Sequence, residues 1–168
     1  WQALRRQQPG LRLVVVGDGP LRRALAAAHP GVLFTGMLQG DALARCYASA
    51  DLFLFPSLTD TFGNVLLEAL ASGLSVVSFD MAAAALHVRH ARSGWLATPG
   101  DAIGYIDTAW QALAALAPGG PAHDRLRQLA RLAALEADWD SQLAAFERGL
   151  RQAVAAHRAA GVVHAALA

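Results

Sequence analysis

Two carboxylates, Asp60 and Glu68, lie eight positions apart in the stretch TDTFGNVLLEALASG, whose other residues are mostly apolar or small. An acid inside a nonpolar segment is costly unless it is paired or faces a cleft. The neighbouring residues supply no basic partner for either acid. We therefore expect the partner of these two carboxylates to be a ligand.

Between the two acids, Gly63 and Asn64 mark the point where a loop is predicted to become a helix. The N–H groups of a first helical turn and the positive end of the helix dipole favour a phosphate oxygen. Glu68 would lie about 6 Å along the helix axis from Asn64, and Asp60 precedes the turn. The two acids would then bracket a diphosphate.

Ionised carboxylates only accept hydrogen bonds, so the diols of a sugar and of a ribose are natural partners for them. The spacing of Asp60 and Glu68 therefore suits a nucleotide sugar, with one acid at the sugar and the other at the ribose. A second interpretation stays open at this point. Acids are common near helix starts, so Asp60 could cap the helix while Glu68 faces solvent.

The composition indicates one compact domain over residues 1–168, with 55% hydrophobic and 16% charged residues. The net charge is +1 and the 14 basic residues, all Arg, are spread along the chain, so a nucleic-acid partner is not expected. A single cysteine, Cys46, excludes an internal disulfide and fits a reducing compartment. No apolar run approaches the roughly 20 residues of a membrane span. Because the chain opens on WQALRRQQPG, without Met, we expect it to be part of a longer protein.

Apolar runs and helical stretches alternate along the chain, in the order LRLVVV, VLFTG, DLFLFPS, LSVVSFD and a shorter WLATPG. Continuous apolar strands are typical of strands covered on both faces, and intervening helices predict an open parallel α/β sheet. Helices are predicted over 101–117, 124–136 and 141–163. The last helix carries an apolar stripe that we expect to pack on the sheet, formed by Leu143, Phe146, Leu150 and Val154.

Two residues predict helix ends. Asp41 is expected to be the N-cap of the helix before DLFLFPS. Gly73 is expected to take a left-handed conformation after the helix that contains Glu68. Both assignments rest on residue types that satisfy the polar groups of helix termini.

Ligands of open parallel sheets bind at the carboxyl ends of the strands, so GDGP, FTGML, FPSLTDTFGN and SFDMAAA should border one crevice. A dinucleotide is disfavoured there, because Arg22 occupies the position of the third glycine of GxGxxG. Arg22 and Arg23 could reach a phosphate, but an exposed helix face is the simpler interpretation. His87 and His90 lack the further ligands of a metal site, and no metal is expected.

The segments VGDGP, FTG, YASADLFLFPS, TDTFGNVLLEALASGLSVVSFD and GWLATPGD resemble, in order, the carboxy-terminal, donor-binding domain of the family-four GT-B glycosyltransferases, also called glycosyl transferases group 1. The resemblance covers residues 11–101. It implies a Rossmann-like domain that forms one half of a GT-B fold. It also implies transfer of a glycosyl group from a nucleoside-diphosphate sugar with retention of configuration, without a tightly bound cofactor.

The resemblance assigns roles to both acids, which occupy the positions of the family's E-x7-E motif. Asp60 stands at the position that contacts the donor sugar and is the expected catalytic residue, and Glu68 stands at the position that contacts the ribose. The other implied donor-binding residues are Gly17 beside the cleft, Met37 and Leu38 at the base pocket, and Phe62, Gly63, Asn64 and Val65 at the diphosphate and sugar.

Three departures from the family pattern bear on activity. Asp60 is one methylene shorter than the usual Glu, and Leu86 stands near the position of an expected acid. The basic pair that grips the diphosphate would lie before Trp1, and the chain has no Lys. We therefore expect this chain alone to bind donor and to catalyse little or nothing.

The resemblance also implies partners and a location. An amino-terminal domain of the same protein would hold most of the acceptor site, for a sugar, lipid or polysaccharide acceptor. The protein is expected in the cytoplasm, with peripheral contact at the inner face of the membrane through that other part. Two alternatives stay open: a noncatalytic sugar-nucleotide-binding or interaction module, and a nucleotide-sugar epimerase, which shares the GT-B architecture.

Overall fold

A computed structural model describes residues 1–59, 62–116, 121–137 and 139–164 of the chain. The helices are α1 (Gln2–Gln7), α2 (Arg22–Ala28), α3 (Gly40–Ala48), α4 (Asn64–Ala71), α5 (Ala82–His87), α6 (Ala102–Ala115), α7 (Pro121–Leu135) and α8 (Trp139–His164). The strands are β1 (Val14–Val16), β2 (Leu33–Gly36), β3 (Leu52–Phe55), β4 (Ser75–Phe79) and β5 (Gly94–Ala97). The predicted alternation of strands and helices is confirmed.

The strands pair in parallel, which confirms the predicted α/β class with helices flanking a parallel sheet. They form two ladders, β1 with β2 and the row β3, β4, β5. In the doubly wound order 3-2-1-4-5-6, the second and fourth strands lie on either side of the first and do not pair with each other. The two ladders fit this order if β1 and β3 are its second and fourth strands. The position between them is that of the first strand in the order.

Strand β4, the middle strand of the three-stranded ladder, is covered on both faces, as its apolar run predicted. All five residues of β4 are buried, whereas Val14, Val15 and Val16 of β1 are exposed. The expectation of full cover is therefore wrong for β1. Strand β1 lies in the two-stranded ladder, whereas the buried alanines of α6 and α7 pack in the two core clusters around β4.

The core lies on the two faces of β4, because successive side chains of a strand point in opposite directions. Val76 packs with Leu66, Leu70 and Ala130 on the face covered by α4 and α7. Val77 packs on the other face, with Leu4, Trp95, Ala112 and Leu126. Trp95, from the neighbouring strand β5, is buried in this cluster.

Helix α4 is bounded by two left-handed glycines. Gly63, at φ +66°, precedes its first residue, and Gly73, at φ +81°, follows its C-cap Ser72. The amide of Leu74 donates to Ala69 at 2.9 Å and the amide of Gly73 donates to Leu70 at 2.8 Å, which is the Schellman pattern. The prediction for Gly73 is thus confirmed.

The prediction that Asp41 is the N-cap of α3 is wrong. Gln39 is the N-cap, in an extended conformation, and the helix begins at Gly40. Asp41 lies in the first turn instead. A carboxylate there is still favourable, because it faces the positive end of the helix dipole.

The apolar stripe of α8 does not pack on the sheet. Its members are 50% to 65% exposed, namely Leu143, Phe146, Leu150 and Val154. Buried residues of α6 and α7 already cover β4, so the sheet offers no free surface there for α8. No helix within the described ranges is long and apolar enough to cross a membrane.

Candidate functional site

The loops that follow β1 and β2 meet at one edge of their ladder. The amide of Gly17 donates a 2.9 Å hydrogen bond to the carbonyl oxygen of Gly36, the last residue of β2. Both glycines have positive φ, at +131° and +74°, conformations that side chains rarely adopt. The structure therefore brings Gly17 next to the loop that carries Met37 and Leu38, as predicted.

Apolar side chains are exposed to solvent in the loop after β2 and just before α4. Met37 is 66% exposed and Phe62 is 77% exposed, while Leu38 is half-buried. Exposed side chains of this size offer contact area to a ligand. The Gly17–Gly36 hydrogen bond joins the loops after β1 and β2, and it does not extend to Asn64 or Val65 at the start of α4.

The first turn of α4 has the geometry of an anion site. The carbonyl oxygen of Gly63 accepts the amides of Leu66 and Leu67, both at 2.9 Å. The amides of Asn64 and Val65 have no acceptor within the described parts of the chain. Such amides, with the positive end of the helix dipole, bind phosphate oxygens.

Glu68 lies one turn further along α4, with an exposed carboxylate. Glu68 also has a protein partner, because the hydroxyl of Tyr47 donates a 3.1 Å hydrogen bond to its Oε2. Burial, followed by the negative charge of Glu68 and this hydrogen bond, raises the pKa of Tyr47 from 10.0 to about 12. The hydroxyl therefore stays a donor at neutral pH.

Sequence reasoning missed Tyr47. It lies in the YASADLFLFPS segment that carried the family resemblance, but its role depends on α3 packing beside α4. A tyrosine is an apolar body with a polar end that usually finds a partner when buried. This general property of tyrosine could have marked Tyr47 as a candidate, but it does not identify Glu68 as the partner.

Arg22 also has a more specific position than the exposed helix face expected for it. Its guanidinium lies over Gly36, so that a Cβ placed on that glycine would be 3.2 Å from Nη2. Its Nη1 lies 3.5 Å from Asp18 Oδ2, a partly exposed ion pair that contributes little stability. Arg22 thus holds positive charge at the end of β2, close to the predicted base pocket.

Four further candidates from the sequence are Asp60, Leu86, His87 and His90. Asp60, the predicted catalytic residue, lies outside the described residues. Leu86, on α5, is exposed. Burial lowers the pKa of His87, with a smaller effect of the nearby Arg89 charge, and His90 accepts a 3.2 Å hydrogen bond from the Leu96 amide. Among the described residues, no three His, Cys, Asp or Glu side chains are grouped to hold a metal ion.

The parallel strands with intervening helices define the class of this protein as a Rossmann-like α/β domain. Residues 1–115 match the family model described as Glycosyl transferases group 1. The chain belongs to the glycosyl transferases group 1 family.

Two named relatives match part of the chain. Over 98 residues it is 40% identical to the sulfoquinovosyl transferase SQD2 of Arabidopsis thaliana, a match covering 55% of this chain and 19% of that protein. Over 70 residues it is 49% identical to the GDP-mannose-dependent alpha-mannosyltransferase of Mycobacterium tuberculosis, covering 42% and 18%. The chain therefore spans about a fifth of the length of these relatives.

Solved structures confirm the fold as that of GT-B glycosyltransferases. TarM superimposes with a TM-score of 0.74 at 18% identity, over 89% of this chain and 30% of TarM. The sucrose-phosphate synthase of Thermosynechococcus elongatus gives a TM-score of 0.70 at 24% identity, over 92% of this chain and 41% of that enzyme. At these identities the likeness establishes architecture alone.

Proposed function

We propose that residues 1–168 form the donor-binding domain of a longer glycosyltransferase. It binds a nucleoside-diphosphate sugar, whose glycosyl group is transferred to a sugar, lipid or polysaccharide acceptor with retention of configuration. The acceptor is held mainly by an amino-terminal domain of the same protein. The enzyme works in the cytoplasm, with peripheral contact at the membrane through its other domain.

The observation that carries this proposal is the arrangement at the start of α4. The open amides of Asn64 and Val65 lie one helical turn before the carboxylate of Glu68. A diphosphate at those amides would place a ribose within reach of an acceptor-only group suited to its hydroxyls. The name of the mycobacterial relative, a GDP-mannose-dependent enzyme, supports a nucleotide-sugar donor of this kind.

The remaining donor contacts are those that the family resemblance implies. The base lies against Met37 and Leu38 near Gly17, while the sugar lies towards Phe62 and Asp60. The exposure of Met37 and Phe62 supports ligand contact at both ends. Asp60 is proposed to hold the donor sugar and align its reacting carbon, a positional effect to which rate is steeply sensitive.

Catalysis by such a domain is mainly electrostatic. The departing nucleoside diphosphate carries negative charge, which fixed donors and aimed dipoles stabilise. The start of α4 supplies one such dipole, and the guanidinium of Arg22 is a second positive group at the strand ends. Without the acceptor domain, the chain is proposed to bind donor and to transfer little or no sugar.

Calorimetric titration of the 168-residue chain with UDP, GDP, ADP, inorganic phosphate and the matching monophosphates tests the proposal. We expect one diphosphate to bind more tightly than its monophosphate and than phosphate, because the base, ribose and diphosphate contacts lie in this domain. The absence of any preference for a diphosphate over a simple anion would overturn the proposal.

Glu68→Gln tests the ribose assignment. It should weaken that diphosphate by about 1–3 kcal/mol, the range for hydrogen bonds to a charged acceptor, and leave its 2′,3′-dideoxy analogue nearly unaffected. The substitution keeps the side-chain shape, so the melting temperature should change little. Equal losses for both ligands would show that Glu68 does not contact the ribose.

Asp60→Ala tests the sugar end of the site. It should lower affinity for the sugar nucleotide towards that of the diphosphate, while affinity for the diphosphate itself is kept. Asp60→Glu, which restores the family's usual acid, should keep the difference. If Asp60→Ala lowers only the melting temperature, the acid is a helix cap, and a noncatalytic nucleotide-binding module becomes the better description.

A further inference from the structure

The hydrogen bond between Tyr47 and Glu68 joins two helices that are distant in sequence. Tyr47 lies on α3 and Glu68 lies on α4, 21 residues later, with Oη and Oε2 separated by 3.1 Å. The same hydroxyl is 3.5 Å from the carbonyl oxygen of Val65, one turn earlier in α4. Tyr47 therefore contacts the helix that carries the proposed diphosphate and ribose contacts.

The ring of Tyr47 is held in place by the sheet. It packs edge-on against Phe53 of β3, with ring centroids 5.9 Å apart and planes at 62°. Phe53 stacks on Phe55 at 5.9 Å, and all three rings border the core cluster around Leu66. Packing of partly buried rings thus sets the position of the hydroxyl, whereas Glu68 is exposed.

An exposed glutamate samples several rotamers, and ordering it on binding costs free energy. A hydroxyl held beside Oε2 favours one of these rotamers before any ligand arrives. One hydrogen bond to Oε2 leaves the lone pairs of Oε1 and one of Oε2 as acceptors. That is enough to receive both hydroxyls of a ribose.

We infer that Tyr47 is a positioning residue, whose hydroxyl holds the Glu68 carboxylate in the orientation that accepts the ribose hydroxyls. This inference rests on the proposed function, in which Glu68 contacts the ribose. Tyr47 acts on affinity through Glu68 and touches neither the sugar nor the reacting atoms. Its effect should therefore vanish when either the ribose hydroxyls or the Glu68 carboxylate is removed.

The test compares Tyr47→Phe, which removes only the hydroxyl, with Glu68→Gln and the double variant. The probes are the diphosphate among UDP, GDP and ADP that the chain prefers and its 2′,3′-dideoxy analogue. We expect Tyr47→Phe to weaken the ribose-containing ligand about 3- to 10-fold and the dideoxy ligand less than about 2-fold, in line with one hydrogen bond. The double variant should bind no more weakly than Glu68→Gln alone.

Tyr105→Phe is the matched control, because its hydroxyl donates to the Val77 carbonyl at 2.8 Å, in the cluster on the other face of β4. It should leave the preference for ribose over dideoxyribose unchanged. Glu68→Asp provides a second variant, since a shorter acid keeps the charge but withdraws from Tyr47, and it should lose the same preference as Tyr47→Phe.

The outcomes separate this inference from the proposed function. Equal weakening of both ligands by Tyr47→Phe, or additive losses in the double variant, would overturn the positioning role while the nucleotide-binding proposal stands. A wild-type chain that binds no diphosphate, or that binds both ligands equally, would overturn the ribose assignment and this inference together.

Discussion

The guanidinium group of Arg127 in α7 donates a 3.3 Å hydrogen bond to the carbonyl oxygen of Ala50, 77 residues earlier in the chain. Its other terminal nitrogen lies 3.5 Å from the carbonyl oxygen of Ser72, the C-cap of α4. Arg127 thus ties α7 to the ends of α3 and α4 and satisfies carbonyl groups that helix termini leave without intrahelical partners.

Arg127→Ala should lower the free energy of unfolding by about 1–3 kcal/mol, because it removes charged hydrogen bonds from partly buried carbonyls. Urea unfolding followed by circular dichroism measures this change. Arg125→Ala, at an exposed position of the same helix, is the control and should stay within about 0.5 kcal/mol of the wild type. Equal losses for both variants would show that the Ala50 contact contributes no stability.

Gly63→Ala should destabilise the fold by about 1–2 kcal/mol, the cost of a left-handed conformation for a residue with a Cβ. Gly149→Ala is the opposite case, since Gly149 lies inside α8 with open space around it. Alanine there should be neutral or stabilise by about 0.5–1 kcal/mol. Thermal melts of the two variants side by side check the sign of each change, and a stabilising Gly63→Ala would contradict the observed backbone.

Leu66→Ala should cost about 2–5 kcal/mol, because its side chain is fully buried beside β4 and leaves a cavity. Phe146→Ala removes a larger side chain from the exposed stripe of α8 and should change stability by less than about 0.5 kcal/mol. The same unfolding measurement compares them. A large loss for Phe146→Ala would mean that the stripe is covered when this chain is in solution.

The stability of the chain should fall as the pH rises from 10 towards 12. Tyr47 ionises near pH 10.0 when unfolded and near pH 12 when folded, and burial raises the pKa of Tyr105 as well. In this window the unfolded state binds fewer protons, so unfolding is favoured as the pH rises. Well below pH 10 neither tyrosine changes stability, because both are protonated in the folded and the unfolded states.

This titration is unusually simple to measure, because the chain has two tyrosines and no Lys, and Arg stays protonated throughout. Urea unfolding at intervals between pH 9.5 and 11.5 gives the slope, and Tyr47→Phe should reduce it. Glu68→Gln should lower the pKa of Tyr47, seen in the ultraviolet absorbance of tyrosinate, because it removes the negative charge that favours the protonated hydroxyl. A slope of zero would contradict the burial of both rings.

Local patterns in the amino-acid sequence determined much of this protein by themselves. The apolar run SVVSF predicts a strand covered on both faces, and β4 is such a strand. The glycine after the Glu68 helix predicts a left-handed cap, and Gly73 forms one. The motif order around Asp60 and Glu68 identified the family, because these signals depend on residues close together in the chain.

Contacts between distant segments were decided only by the tertiary structure. Tyr47 meets Glu68, and Arg127 meets Ala50, because α3, α4 and α7 pack together, and no local pattern encodes which side chains face each other. The exposure of the α8 stripe was also decided by the tertiary structure. Helical spacing indicates an apolar face, but burial of that face requires free volume beside β4. Residues of α6 and α7 occupy that volume.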